Sequence, residues 1–431
     1  MRRVVVTGFG VVSPIGNGGS AFFRGLTESR SGIAEITGFD ARSFPTRIAA
    51  EVVDPLSSIE DYKGAWEAAL KRDRKSRFGL IAAREAYRSS FGGARVLPYD
   101  PRRIGASIAA GLELFDVRDL LRHLKHGACD GTDLLREALK LDCHQVGSVP
   151  ADAGAQVIRE EFALRGPFGV VLSACAAGTQ AIGEAFLAIR DDVADAMFAG
   201  GYDSMINPLG LGGFCLLEAM SRRNDLGGLA SRPFDASRDG FVLGEGAAMF
   251  VLEEYESALR RGATILAEIE GYGSSLDAYR VTDPEPDGRG AIAAMAQALA
   301  MANLSPRDID YVNAHGTGTP KNDPVEARAI RTVLGSDVDR IYVSSTKSQI
   351  GHLIGAAGAV EFAACLYALR EEQVPATITL EHPDPECRLR HVAKQPIQVP
   401  VRRVLSNSLG FGGQNASIVL GQPPISRLGE Q

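Results

Sequence analysis

Seven short apolar runs, at residues 4–6, 104–109, 169–174, 196–200, 247–252, 341–345 and 416–420, alternate along this chain with alanine-rich stretches of helical character. A run without polar alternation has no face to offer to water, so each such strand must be covered on both sides. Helices between the strands supply that cover, and the pattern therefore specifies an α/β architecture on buried strands. One helix is legible in detail: Ala181, Ile182, Ala185, Phe186 and Ile189 recur on one face. A helical stretch reaches residue 260 and a strand-like run, ILAEIEGYGSS, opens at 265. The seam between two halves, 1–260 and 261–431, is accordingly expected near residue 260. No short internal repeat, low-complexity tract or heptad array is visible. Residues 277–289, DAYRVTDPEPDGR, are polar and rich in proline and glycine and read as a loop.

Composition narrows the function classes. A net charge of -7 does not favour nucleic-acid binding as a main role. The six cysteines, at 129, 143, 175, 215, 365 and 387, include no CxxC pair, so neither a zinc site nor a disulfide framework is indicated and a reducing, cytoplasmic setting is expected. Gly8, Gly10 and Pro14 interrupt any signal-peptide core, and no window approaches the ~20 apolar residues of a membrane span. The glycines of VVVTGFGVVSPIG do not fit a dinucleotide fingerprint, and there is no P-loop.

Chemistry-bearing residues stand at the ends of apparent strands. Cys175, in SACAAG, follows GVVLSA and precedes a helix. A strand-to-helix turn exposes a nucleophile, a helix start favours the thiolate, and small neighbours leave room for an acyl group. A cysteine simply packed into a small-residue helix start is the competing reading. His315, in NAHGTGTPKNDPVEA, ends a strand before a Gly/Thr loop carrying Thr317 and Thr319. Asp323, Pro324 and Glu326 read as N-cap, first-turn proline and capping-box partner of the following helix. In STKSQIGHLIGAAGAVE, Lys347 and His352 lie between a strand and a helix, and Lys347 with Glu361 could form a buried pair that fixes protonation states. Gly351, Gly355 and Ala359 recur at helical spacing, which suggests close helix packing. Phe411, in NSLGFGGQN, is held among glycines and could move, or could be the buried ring of a hairpin turn. In sheet-based α/β folds, substrate sites gather at strand ends.

In order and approximate spacing, SACAAG, NAHGTGT, STKSQIGHLIGAAG and NSLGFGGQN resemble the four signature blocks of the elongating β-ketoacyl-[acyl-carrier-protein] synthases of the thiolase superfamily. VVVTGFGVVSPIG, AGGYDSMINPLGLGGF and SRPFDASRDGFVLGEGA resemble that family as well, so the similarity spans the chain. The resemblance implies a thiolase fold, two similar halves layered α-β-α-β-α, and a dimer, homodimeric or heterodimeric. It implies an acyltransferase that extends an acyl chain in fatty-acid synthesis, with a polyketide or specialised-lipid ketosynthase as the alternative. A chain-length partner subunit is a further alternative, although loss of the cysteine is the usual sign of that class.

By the same resemblance Cys175 takes the acyl chain, and His315 and His352 drive decarboxylation of malonyl carrier protein. Lys347 and Glu361 support them, and the backbone N–H groups of Cys175 and Phe411 form an oxyanion hole. Phe411 gates the two stages, Thr317 and Thr319 hold the pantetheine arm, and Leu112 borders the acyl pocket near the dimer interface. No cofactor is implied beyond a structural monovalent cation among Asn313, Glu361, Ser406 and Asn407. Ala176, Ala177, Gly318 and Gln414 depart from the common fatty-acid form. An acidic carrier protein calls for a basic docking face, for which Lys63, Arg72, Arg74, Lys75 and Arg77, or Arg122 and Lys125, are candidates.

Overall fold

The structure is a computed structural model that describes residues 1–53, 59, 61–94, 97–112 and 149–424. The main path of its large sheet is built from β1 (Val4–Ser13), β2 (Ile104–Ala110), β3 (Phe168–Val171), β4 (Ala196–Ser204), β5 (Glu245–Glu254), β6 (Ala267–Leu276), β7 (Tyr311–Asn313), β8 (Tyr342–Ser344), β9 (Arg390–His391), β10 (Arg403–Gly410) and β11 (Gln414–Gly421). They join along one hydrogen-bonded path, β9-β8-β7-β10-β11-β6-β1-β5-β4-β2-β3. In the N-terminal wing β3, β2 and β4 are parallel, with β5 and then β1 added antiparallel. The C-terminal wing repeats the plan: β8, β7 and β10 are parallel, and β11 and then β6 follow antiparallel. The wings meet where Val4, Val5 and Val6 pair with Ile269, Glu268 and Ala267.

Five layers result. Helices α1 (Arg74–Phe91) and α2 (Ala153–Glu161) cover the outer face of the first wing, and α5 (Arg289–Ala302) and α6 (Asn322–Leu334) cover that of the second. Between the wings lie α3 (Ala177–Arg190) and α7 (Ala357–Glu371), whereas α4 (Pro208–Leu216) stands beside the site. Every residue of α7 from Ala357 to Leu369 is buried, which its run of small and apolar residues makes possible. The face foreseen on α3 is buried, but so are Gly178, Thr179 and Gly183, because the first half of this helix is enclosed on every side and only Glu184 is exposed. The two central helices cross tightly: a Cβ on Gly178 would stand 2.6 Å from the Ala359 nitrogen. Glycine at the crossing is thus a packing requirement.

Both central helices are entered through a 3-10 turn, Ala174–Ala176 before α3 and Ile354–Ala356 before α7. In each turn the first residue is a non-glycine with positive φ, 50° at Ala174 and 44° at Ile354. The segments ACAAG (174–178) and IGAAG (354–358) are therefore equivalent, a repeat too short to register by self-similarity. Two other expectations change. The strand at 169–174 stops at Val171. Gly351 ends the short helix Lys347–Ile350 at φ 70° and Gly355 lies in the 3-10 turn, so Gly351, Gly355 and Ala359 do not share one helix. Gly8 and Gly10 lie within β1, where a Cβ would come within 2.4 and 2.2 Å of the α1 carbonyls of Ala86 and Ala82. Among the described residues no helix is long and apolar enough to cross a membrane.

Candidate active site

The parallel strands of both wings end on the same side, and the turns after them carry the site. Cys175 sits in the turn after β3, His315 two residues past β7, Lys347 and His352 after β8, and Phe411 directly after β10. Cys175, His315 and His352 line one cavity of about 220 Å³ together with Thr317, Thr319 and Phe411. A second cavity, of about 600 Å³ and mostly apolar, runs from Cys175 and Phe411 past Leu112, Leu172, Leu209 and Phe214. Cys175 and Phe411 thus stand where the two cavities meet, the first of them carrying the histidines and threonines. Leu112 lines the second cavity and is 65% exposed.

His352 Nε2 lies 3.1 Å from Cys175 Sγ, and its ring meets that of His315 edge-on with centroids 5.3 Å apart. The backbone holds His352 firmly: its N–H donates to the Val242 carbonyl at 2.7 Å and its carbonyl accepts from Gly244 at 2.9 Å. The Phe241 ring packs edge-on against the imidazole. Lys347 Nζ donates to the His315 carbonyl at 2.6 Å, faces His315 Nδ1 at 3.3 Å and forms an ion pair with Glu361 Oε1. An ammonium only donates, so His315 Nδ1 accepts and the ring carries its hydrogen on Nε2.

Burial sets the protonation states. Both histidines are held well below the ordinary histidine value, first by desolvation and then by the Lys347 charge, so both rings are neutral. Desolvation pushes Glu361 up to about 7 against the pull of Lys347. The Cys175 thiol is pushed up to about 11 by the same cause, although the Phe411 N–H and the Lys347 charge act in the opposite direction. The expectation that the helix start yields a resting thiolate is therefore overturned: the sulfur is buried, and desolvation outweighs the dipole.

Asp323 and Glu326 do not cap α6. They turn back on the His315 loop. Glu326 accepts from the N–H groups of His315 at 2.7 Å and Gly316 at 2.8 Å, while Asp323 accepts from Thr317, Gly318 and, at 2.8 Å, Phe234. Thr317 and Thr319 hydroxyls lie 3.0 Å apart at the entrance. Asp277 does the equivalent for Phe411: its N–H donates to the Gly413 carbonyl and its Oδ1 accepts from Asn415, while Gly412 N–H donates to the Val281 carbonyl at 2.6 Å. The loop foreseen at 277–289 is thereby tied to the Phe411 turn. Neither Asp277 nor Glu326 carried a legible signal of this role.

The residues suggested for a cation fit that use in part. Asn313 Oδ1, Glu361 Oε2 and Ser406 Oγ are buried oxygens without a hydrogen-bond partner among the described residues, the hard donor type that such a cation takes. Asn407 is different, because its Oδ1 already accepts from Ser417 at 2.9 Å. The first docking patch is corrected: Lys75 is buried against Asp73, and Arg74 is held by Glu245 and the Val52 carbonyl, so neither is available to a partner. Arg122 and Lys125 lie outside the described residues.

Two converging wings that bring a cysteine, two neutral histidines and a lysine–glutamate pair to one junction define a thiolase-fold condensing enzyme. Residues 1–258 match the β-ketoacyl synthase N-terminal domain and residues 266–381 the C-terminal domain, and the chain belongs to the β-ketoacyl synthase family of acyltransferases. It is 41% identical to 3-oxoacyl-[acyl-carrier-protein] synthase 2 of Coxiella burnetii, over 97% of this chain and 98% of that one. It is 39% identical to the actinorhodin polyketide putative β-ketoacyl synthase 1 of Streptomyces coelicolor, over 97% and 88%. Among solved structures, a β-ketoacyl synthase from Burkholderia phymatum superposes with a TM-score of 0.85 at 32% identity, covering 98% of this chain and 100% of the other. A ketosynthase solved in complex with a type II polyketide acyl-carrier protein gives 0.84 at 32%, with the same coverage.

Proposed function

We propose that the protein condenses an acyl chain held on Cys175 with malonyl-[acyl-carrier-protein], releasing CO2 and a β-ketoacyl chain two carbons longer, in fatty-acid elongation. The observation that carries this reading is the 3.1 Å contact of His352 Nε2 with Cys175 Sγ at the mouth of an apolar cavity. The resting thiol passes its proton to neutral His352 as the sulfur attacks the acyl thioester, and the proton leaves on the pantetheine sulfur. The N–H groups of Cys175 and Phe411 receive the oxyanion, where one donor is worth about 3 kcal/mol. Once the sulfur is acylated, no S–H occupies His352 Nε2. A solvent-assisted tautomer shift of His352 then moves its ring hydrogen from Nδ1 to Nε2, where it joins the Nε2–H of His315 at the malonyl carbonyl and stabilises the enolate as CO2 departs. Lys347 fixes the His315 tautomer, Glu361 holds Lys347, and Phe411 separates the loading stages.

A cation on the three orphan oxygens would keep Glu361 ionised and so hold Lys347 in place. The half-exposed edge strand β3, followed by Leu172, supports a dimer through that edge, with Leu112 beside it. The carrier protein as partner is supported by the similar ketosynthase that was solved in complex with one. A polyketide pathway is the second reading, favoured by the identity to the actinorhodin synthase, which nearly equals that to the elongation enzymes.

Cys175→Ala is expected to abolish condensation, whereas Cys175→Gln should decarboxylate malonyl carrier protein without condensing it. Elongation retained by the alanine variant, measured as β-ketoacyl product, would defeat the assignment.

A further inference from the structure

Sγ of Cys175 and one nitrogen from each of His315 and His352 lie within 4.8 Å of one another, all three side chains are buried, and they share the wall of a cavity. Three ligands of this kind around one open position are what zinc takes in its catalytic sites, with metal–ligand bonds of roughly 2.0–2.3 Å. His352 Nε2 already faces the sulfur at 3.1 Å, so two of the three ligand atoms are in place before a metal arrives. We infer that Cys175, His315 and His352 form a reversible inhibitory site for a thiophilic divalent cation of the zinc class.

The surroundings argue that such a metal is a visitor and not a resident. Histidines that hold a permanent metal donate their other N–H to a carboxylate or carbonyl, and losing such a partner costs about 10–100-fold in affinity. Here His315 Nδ1 faces the Lys347 ammonium, and His352 Nδ1 has no partner among the described residues. Binding replaces the S–H bond with a metal–sulfur bond and releases that proton. His315 shifts its ring hydrogen from Nε2 to Nδ1 through solvent, which turns Nδ1 from acceptor to donor and breaks its contact with Lys347 Nζ. The metal therefore gains a thiolate at the cost of the support network, and it blocks the sulfur that would take the acyl chain. That blockade rests on the proposed reaction, whereas the binding itself does not.

Cobalt(II) titrated into the full-length protein tests the site without turnover, through its thiolate charge-transfer absorption. The band should saturate at one metal per chain, vanish in Cys175→Ser and in His352→Ala, and persist in Cys215→Ser, whose thiol lies half-buried on α4. In the unaltered protein, zinc should slow iodoacetamide alkylation of Cys175 by at least ~10-fold, and a chelator should restore the rate. A band that survives Cys175→Ser, or equal alkylation with and without zinc, overturns the inference. Neither readout measures condensation, so such a failure would leave the proposed reaction standing, and a Cys175 that binds metal but never takes an acyl chain would do the reverse.

Discussion

Cys175 is a thiol waiting beside a base, not a preformed thiolate, because its burial raises it to about 11 while His352 stays neutral. The sign of the pH dependence follows. Below about pH 10 the thiolate is the minor form, so alkylation of Cys175 by iodoacetamide should climb about tenfold per pH unit through pH 7–10. A plateau beginning near pH 7 would instead mean that the helix start outweighs desolvation. On the proposed reaction His352→Ala removes both the proton acceptor and one donor to the malonyl carbonyl, and decarboxylation should fall by about 10²–10⁴-fold. Lys347→Ala acts through His315: the tautomer is no longer fixed, so decarboxylation should drop while acyl loading on Cys175 continues. Loading and decarboxylation assayed separately distinguish the two variants.

At the scale of elements, the site depends on loops that are fastened from a distance. Glu326 satisfies two buried N–H groups on the His315 loop, and Glu326→Ala should cost about 2–4 kcal/mol, read from urea unfolding. Gly178→Ala would force a Cβ against the Ala359 backbone at the crossing of α3 and α7, an overpacking worth about 1–3 kcal/mol. The sequence disclosed the strand runs and the residues at their ends, because period and composition act locally. It did not disclose Glu326 as a clamp: a helix-start pattern predicts bonds within its own turn, and the partners here lie ten and eleven residues back. Asp277 was hidden for the same reason, in a stretch legible only as loop. The burial of Cys175 and its effect on the thiol depend on packing from both wings, which no local pattern encodes.

For the whole molecule, the two wings differ at their free edges. β9 is two residues long and begins with Arg390, a short charged edge that resists pairing, whereas β3 presents Phe168–Val171 half-buried. Dimerisation through β3 is the expected consequence, and Val170→Glu should shift the protein toward monomer in sedimentation velocity. On the proposed reaction an acyl chain becomes covalently bound at the junction of the two cavities. Intact-protein and peptide mass spectrometry after incubation with acyl carrier proteins of mixed chain length tests it most directly. Acyl adducts are expected only on the peptide bearing Cys175 and not in Cys175→Ala; adducts elsewhere, or none on Cys175, would rule that site out.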